Sequence, residues 1–153
     1  VVIGNMDAEW EYTKGNAQSE LEVTSILNTV GRNFFVLAVL EPTKEPSQHF
    51  IRELSAIGEE LKLPTVILFN NAENMNFFFK QDYRLKDDLH YGFDSEGVIM
   101  KGLTESLKTS DLSARLPVVI VADSFGNIFY QSVGYNIGVP KAITDLKLPV
   151  HGE

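Results

Sequence analysis

The chain has 153 residues, no cysteine, and a formal charge of −8 from 13 basic and 21 acidic side chains. Without a thiol it can carry neither disulfide exchange nor thiol peroxidase chemistry, and its acidity, with a pI near 4.9, opposes nucleic acid or an anionic membrane as partner. One domain of this size buries roughly 68–70% of its extended-chain surface, enough for a solid core without disulfide staples. No apolar run approaches the ~20 residues of a membrane span, so no membrane insertion is expected. The start at Val1, without methionine, reads as a processed product or an excised domain.

Residues 1–12 read as a strand with partial alternation, and Lys14-Gly15-Asn16 supplies a turn. Leu21 to Leu27 suits a strand or a short helix equally. The run 34–40, Phe-Phe-Val-Leu-Ala-Val-Leu, is apolar on both faces and rich in β-branched and aromatic residues, the pattern of a central buried strand. Pro46 suits the first turn of a helix, where its missing N–H is no loss. Phe50, Leu54, Ile57 and Leu61 then recur at helical spacing and predict one buried stripe, with Arg52, Glu53, Glu59 and Glu60 turned to water. Pro64 ends that segment and Thr65–Phe69 forms a second buried strand. Strand, helix and strand make a right-handed crossover joining a parallel pair.

Residues 72–81 predict a short helix carrying Phe77, Phe78 and Phe79, and His90–Phe93 a short strand. Ile99, Leu103 and Leu107 mark a helix interrupted by Gly102. Val118–Ala122 and Ile128–Val133 predict an antiparallel hairpin about Ser124-Phe125-Gly126. Val139, Ile143 and Leu146 share one face of a last helix. There is no repeat, low-complexity stretch or linker.

Two segments carry a resemblance. Gly31-Arg32, the strand 34–40, the loop Glu41-Pro42-Thr43-Lys44-Glu45-Pro46 and the following helix are spaced as in the bacterial extracytoplasmic thioredoxin-like family, and Leu116 to Ile128 resembles that family's cis-proline strand and Asp-x-x-Gly hairpin. The resemblance implies a thioredoxin-like three-layer α/β/α sandwich with a mixed sheet, an N-terminal β extension over 1–30, a core over 31–148 and a central αβ insertion, all in one domain. It sets Thr43 and Pro46 at the two cysteine positions, Pro42 at the flanking tryptophan and Leu37 at a buried polar position. The loop Pro42, Thr43, Lys44, Glu45 and Pro46 is then a vestigial active-site loop. A threonine hydroxyl does not ionise near neutral pH even in the field of a helix N-terminus, and proline has nothing to ionise.

The stretch Glu45 to Leu54, together with Leu116 to Ile128 and Gly134-Tyr135-Asn136-Ile137-Gly138, is similar to the C-terminal thioredoxin-like region of exported Bacteroidetes transglutaminase-like proteins. Gly126-Asn127 departs from that group's Asn-Arg. This narrower resemblance implies a non-catalytic companion of a transglutaminase- or peptidase-like domain of the same polypeptide, set in the bacterial cell envelope, periplasmic or surface-exposed.

The candidate sites follow. His49 and Glu53, one helical turn apart, make two potential metal ligands, which is not a site. Glu41 and Glu45 read as dipole partners or caps of the helix, and Lys44 as exposed. The resemblance makes the Leu116–Pro117 bond cis, with the backbone of Leu116 offered to a peptide by strand addition. On that basis, a charge introduced at Leu116 or Glu45 is expected to weaken docking and leave stability nearly unchanged. Phe77, Phe78, Phe79 and Tyr83 exceed what one short helix can bury, so at least one is expected at the surface; Phe77, Phe78 and Phe79, with Tyr135, are candidates for a partner surface. Trp10 reads as a packing residue. No cofactor or metal is expected. The reading is a redox-inactive, non-enzymatic module that engages a protein or peptide. The alternative is a cysteine-independent enzyme or ligand-binding protein using the cleft around Thr43 and Pro117, for which only His49 is near in sequence to serve as base.

Overall fold

The computed structural model describes residues 9–13, 21–25, 34–87, 89–94, 97–109, 112–123 and 127–148. Its strands are β1 (Glu9–Thr13), β2 (Leu21–Ser25), β3 (Phe35–Leu40), β4 (Thr65–Phe69), β5 (His90–Phe93), β6 (Val118–Ala122) and β7 (Ile128–Val133). Its helices are α1 (Glu45–Ile57), α2 (Ala72–Lys80), α3 (Val98–Ser106) and α4 (Val139–Thr144). The strands form one mixed sheet in the order β2-β1-β5-β4-β3-β6-β7. β4 lies parallel to both β3 and β5, while β6 runs antiparallel to β3 and β7 antiparallel to β6. β1 and β2 pair antiparallel and join the sheet through β5.

The apolar run of β3 is buried along its whole length because successive side chains enter two different cores. Val36, Ala38 and Leu40 point to the layer formed by α1, α2 and α4, where they meet Phe50, Ile51, Leu54, Met75, Phe78, Val139 and Ile143. Phe35, Leu37 and Val39 point to the opposite layer, packing with Ile99 and Leu103 of α3 and with Leu112 and Leu116. The result is the three-layer α/β/α sandwich. Each fully buried Leu, Val or Phe here contributes about 1.5–3 kcal/mol relative to exposure.

Several elements differ from the sequence expectation in their extent. α1 stops at Ile57 rather than running to Leu61, because Gly58 takes φ +49 and closes the helix with its N–H on the Leu54 carbonyl. Leu61 still reaches the same core after a 3-10 turn at Gly58–Glu60. Residues 21–25 are strand, which resolves the open choice over Leu21 to Leu27, although Ile26 and Leu27 lie outside the described residues. α3 is continuous through the buried Gly102 instead of being interrupted there. Its start is braced by Asp94, whose buried carboxylate accepts the Ile99 and Met100 N–H groups at 3.3 and 3.0 Å. α4 ends at Thr144, so Leu146 packs against the core from beyond the helix. Residues 1–8, the turn at 14–16 and the hairpin tip 124–126 lie outside the described residues, and so does the side chain of Trp10.

Candidate functional site

The topology brings the separate segments of interest to one end of the sheet. β3 leaves that end at Leu40 into the loop 41–46, while β6 enters it at Val118, paired through Val39↔Val118. β7 leaves it at Val133, paired through Val118↔Val133. Pro117 immediately precedes β6, at the same end of the sheet as Leu40 and Gly134.

The loop is held by its own hydrogen bonds. A turn closes from the Lys44 N–H to the Glu41 carbonyl at 2.9 Å, and the Glu41 N–H donates to Ser47 Oγ at 2.9 Å. The Gln48 amide donates to the Pro42 carbonyl at 3.0 Å. Ser47 is wholly buried, so helix α1 grips the loop from beneath. Pro42 is buried as well, whereas Thr43, Lys44, Glu45 and Pro46 are exposed. Lys44 is the N-cap residue of α1 and supplies no side-chain cap; Pro46 occupies the first turn, and Glu45 adds an acid there, favourable to the helix dipole. Glu41 faces the neighbouring connection, accepting from the Asn70 amide at 3.5 Å, and Asn70 in turn accepts from the amide of Asn74.

The Leu116–Pro117 peptide bond is cis. The side chain of Leu116 is 6% exposed and belongs to the α3-side core, so only its backbone is available to face a peptide. This corrects the expectation that a charge at Leu116 would be tolerated: the side chain sits among Phe35, Val118 and Leu112, where an ion has no partner.

Tyr135 follows the glycine at φ +77 that ends β7 and lies over α1. Its hydroxyl donates to Glu53 Oε2, and its ring sits 5.3 Å from that of His49. Glu53 Oε1 also accepts the Gly138 N–H at 2.6 Å, so one carboxylate ties α1 to both ends of the segment Tyr135–Gly138. The hydrogen bond to Glu53, then burial, then the carboxylate charge raise the Tyr135 phenol above its ordinary value. His49 Nδ1 lies 3.4 Å from Arg52 and Nε2 lies 3.9 Å from Glu45. Glu53 is thus committed to Tyr135 and Gly138, and both nitrogens of His49 have neighbours other than Thr43. Among the described residues, no three His, Asp or Glu side chains converge as a metal site.

The aromatic helix is placed differently from the surface role expected of it. Phe78 is buried, and Phe77 and Phe79 are half-buried, with Phe78 packed on Phe69, Tyr83 and Tyr91. Tyr83 and Tyr91, from outside the helix, pack on Phe78, and Tyr91 also meets Phe79, while Phe77 stays half-exposed on the helix. Among the described residues the large apolar side chains at the surface are Phe129 and, at 87% exposure, Ile137. Ile137 lies between Tyr135 and Gly138 and escaped the sequence reading; an isoleucine inside a Gly-Tyr-Asn-Ile-Gly turn was the available signal. Ser47 and Gln48 were also missed, since their value lies in contacts back to a loop whose course the sequence alone does not give.

No family model and no curated protein matches the chain. Solved structures do. A Burkholderia cenocepacia protein provisionally named a thioredoxin reductase superposes with a TM-score of 0.67 at 16% identity, covering 97% of this chain and 98% of its own. The exposed lipoprotein thioredoxin of Streptococcus pneumoniae gives 0.59 at 13% identity, covering 91% of this chain and 100% of its own. StoA from Bacillus subtilis gives 0.58 at 12% identity, over 90% and 95%. At these identities the likeness carries the fold alone: the chain has a thioredoxin-like α/β fold, built without cysteine.

Proposed function

We propose that the chain is a redox-inactive thioredoxin-fold module that docks a protein or peptide partner, in the first instance another domain of the same polypeptide, of transglutaminase- or peptidase-like type. The docking face is the sheet end that carries Thr43, Lys44, Glu45, Pro46, the backbone of Leu116–Pro117 and the segment Tyr135–Gly138. The observation that carries this reading is Ile137, 87% exposed within the segment Tyr135–Gly138, whose two ends Glu53 of α1 holds in place. A surface already ordered loses little entropy on binding. An exposed apolar side chain on a face that also carries Thr43, Lys44 and Glu45 has the composition of a small interface, apolar contact with polar groups around it. The positions that hold sulfur in the fold's redox members are here Thr43 and Pro46, so nothing on this face competes with docking by chemistry. A setting in the cell envelope agrees with the exposed lipoprotein among the structural relatives.

Calorimetric titration of the module with the adjoining domain tests this. Ile137→Glu and Glu45→Arg are expected to weaken binding at least about tenfold, with the melting temperature unchanged for Ile137→Glu and only slightly lowered for Glu45→Arg, which gives up a favourable acid in the first turn of α1. Unchanged affinity in both variants, with loss of binding on Phe77→Ser in α2, would move the interface to the aromatic helix and reject this face.

A further inference from the structure

Away from the docking face, α2 and the segment after it enclose a hollow of about 270 Å³ lined by Phe78, Phe79, Tyr83, Lys86, Asp87 and Tyr91 among others. The ring of Tyr83 stacks on Phe78 with centroids 5.4 Å apart, whereas Tyr91 meets Phe79 edge-on at 5.2 Å and 71°. Phe78, Phe79, Tyr83 and Tyr91 thus line the space at different inclinations rather than as one flat platform, and the electron-rich part of each ring is its face, the edge being positive. Ring faces attract cations and have no comparable preference for neutral groups of the same shape. Asp87, exposed at the rim, adds a full negative charge. Burial, and after it the charge of Asp87, push the Tyr91 phenol up to about 12, so that hydroxyl stays neutral. Lys86, the cation of the lining, donates from Nζ to the Leu61 carbonyl at 2.6 Å, which ties its charge to a backbone acceptor. The space is below the usual range for drug-sized ligands.

We propose that this aromatic hollow binds a compact alkylammonium group, with Tyr83 and Tyr91 as its walls and Asp87 as its counter-charge. The cation can belong to a free small molecule or to an alkylated lysine side chain, since both present the same chemistry.

The test uses the whole chain and follows the ring resonances of Tyr83 and Tyr91 by NMR during titration with choline. A parallel titration uses choline's neutral isostere, in which a tert-butyl group replaces trimethylammonium. Choline is expected to shift both rings, and the isostere to bind at least about tenfold more weakly. Asp87→Asn, a change at an exposed position, is expected to weaken choline about tenfold, and Tyr83→Leu, which keeps an apolar side chain there, by a similar factor. A short peptide carrying trimethyllysine distinguishes the sources: binding tighter than choline assigns the site to a protein side chain, weaker binding to a free cation. Ring shifts absent with both choline and the peptide, equal binding of the isostere, or an Asp87→Asn variant that binds as wild type would each overturn the proposal.

Discussion

The loop 41–46 and the segment Leu116–Pro117 occupy the same end of the sheet and are held there by opposite means. The loop is fixed by polar contacts to its own helix, Ser47 and Gln48 reaching back to Glu41 and Pro42, and it turns Thr43 to Pro46 outward. Leu116 is fixed by burial of its side chain in the core under α3. Position and chemistry are therefore separable at the first segment and inseparable at the second. The exposed side chains Thr43 to Pro46 can change with little cost to the frame, so a thioredoxin-like fold can be built here without a thiol.

Leu116→Arg should break the comparison from the buried side with the largest effect. It places an unpaired charge in an apolar core and removes a packed side chain, and a loss of about 3–5 kcal/mol is expected in denaturant unfolding. Ser47→Ala probes the polar side. It leaves the Glu41 N–H without its acceptor beneath the loop, and a loss of about 1–3 kcal/mol is expected by the same measurement. Glu53→Gln sharpens the comparison at the third segment of the face. The hydrogen bond to Glu53 raises the Tyr135 phenol above its ordinary value in the folded protein, so the bond contributes fully below the ordinary tyrosine range and is lost as pH rises through the folded value. Titration of phenolate absorbance should show one tyrosine moving back toward the ordinary value in the variant. Thr43→Ala should be smallest, within about 0.5 kcal/mol of wild type, because an exposed hydroxyl outside the bracing contacts supports nothing.

Local patterns carried much of the fold. The apolar run at β3, the helical stripe Phe50–Leu54 and the paired strands β6 and β7 each declare their periodicity within a dozen residues. What escaped was long-range or conformational. Gly58 closes α1 by a positive φ that periodicity does not register, so the stripe seemed to continue to Leu61. Glu53 reads as a solvent-facing acid on its own helix, yet its partners Tyr135 and Gly138 lie 82 and 85 residues away. The run of phenylalanines in α2 suggested a surface patch because the sequence does not show Tyr83 and Tyr91 packing on Phe78 and Tyr91 on Phe79. At the candidate site, the loop and the cis-proline segment were legible through their spacing and resemblance, whereas Ile137 was not, since a lone apolar residue in a turn has no periodicity to mark it.

The separation of frame from chemistry can be measured by placing two sulfurs on the loop. Thr43→Cys with Pro46→Cys, assayed beside wild type for insulin reduction, should give an internal disulfide and slow turnover, since Leu37 supplies no buried proton acceptor beneath the loop, while wild type stays at the buffer blank. Turnover by rigorously purified wild type, or two cysteines that remain reduced under oxidising conditions in a folded variant, would contradict the account.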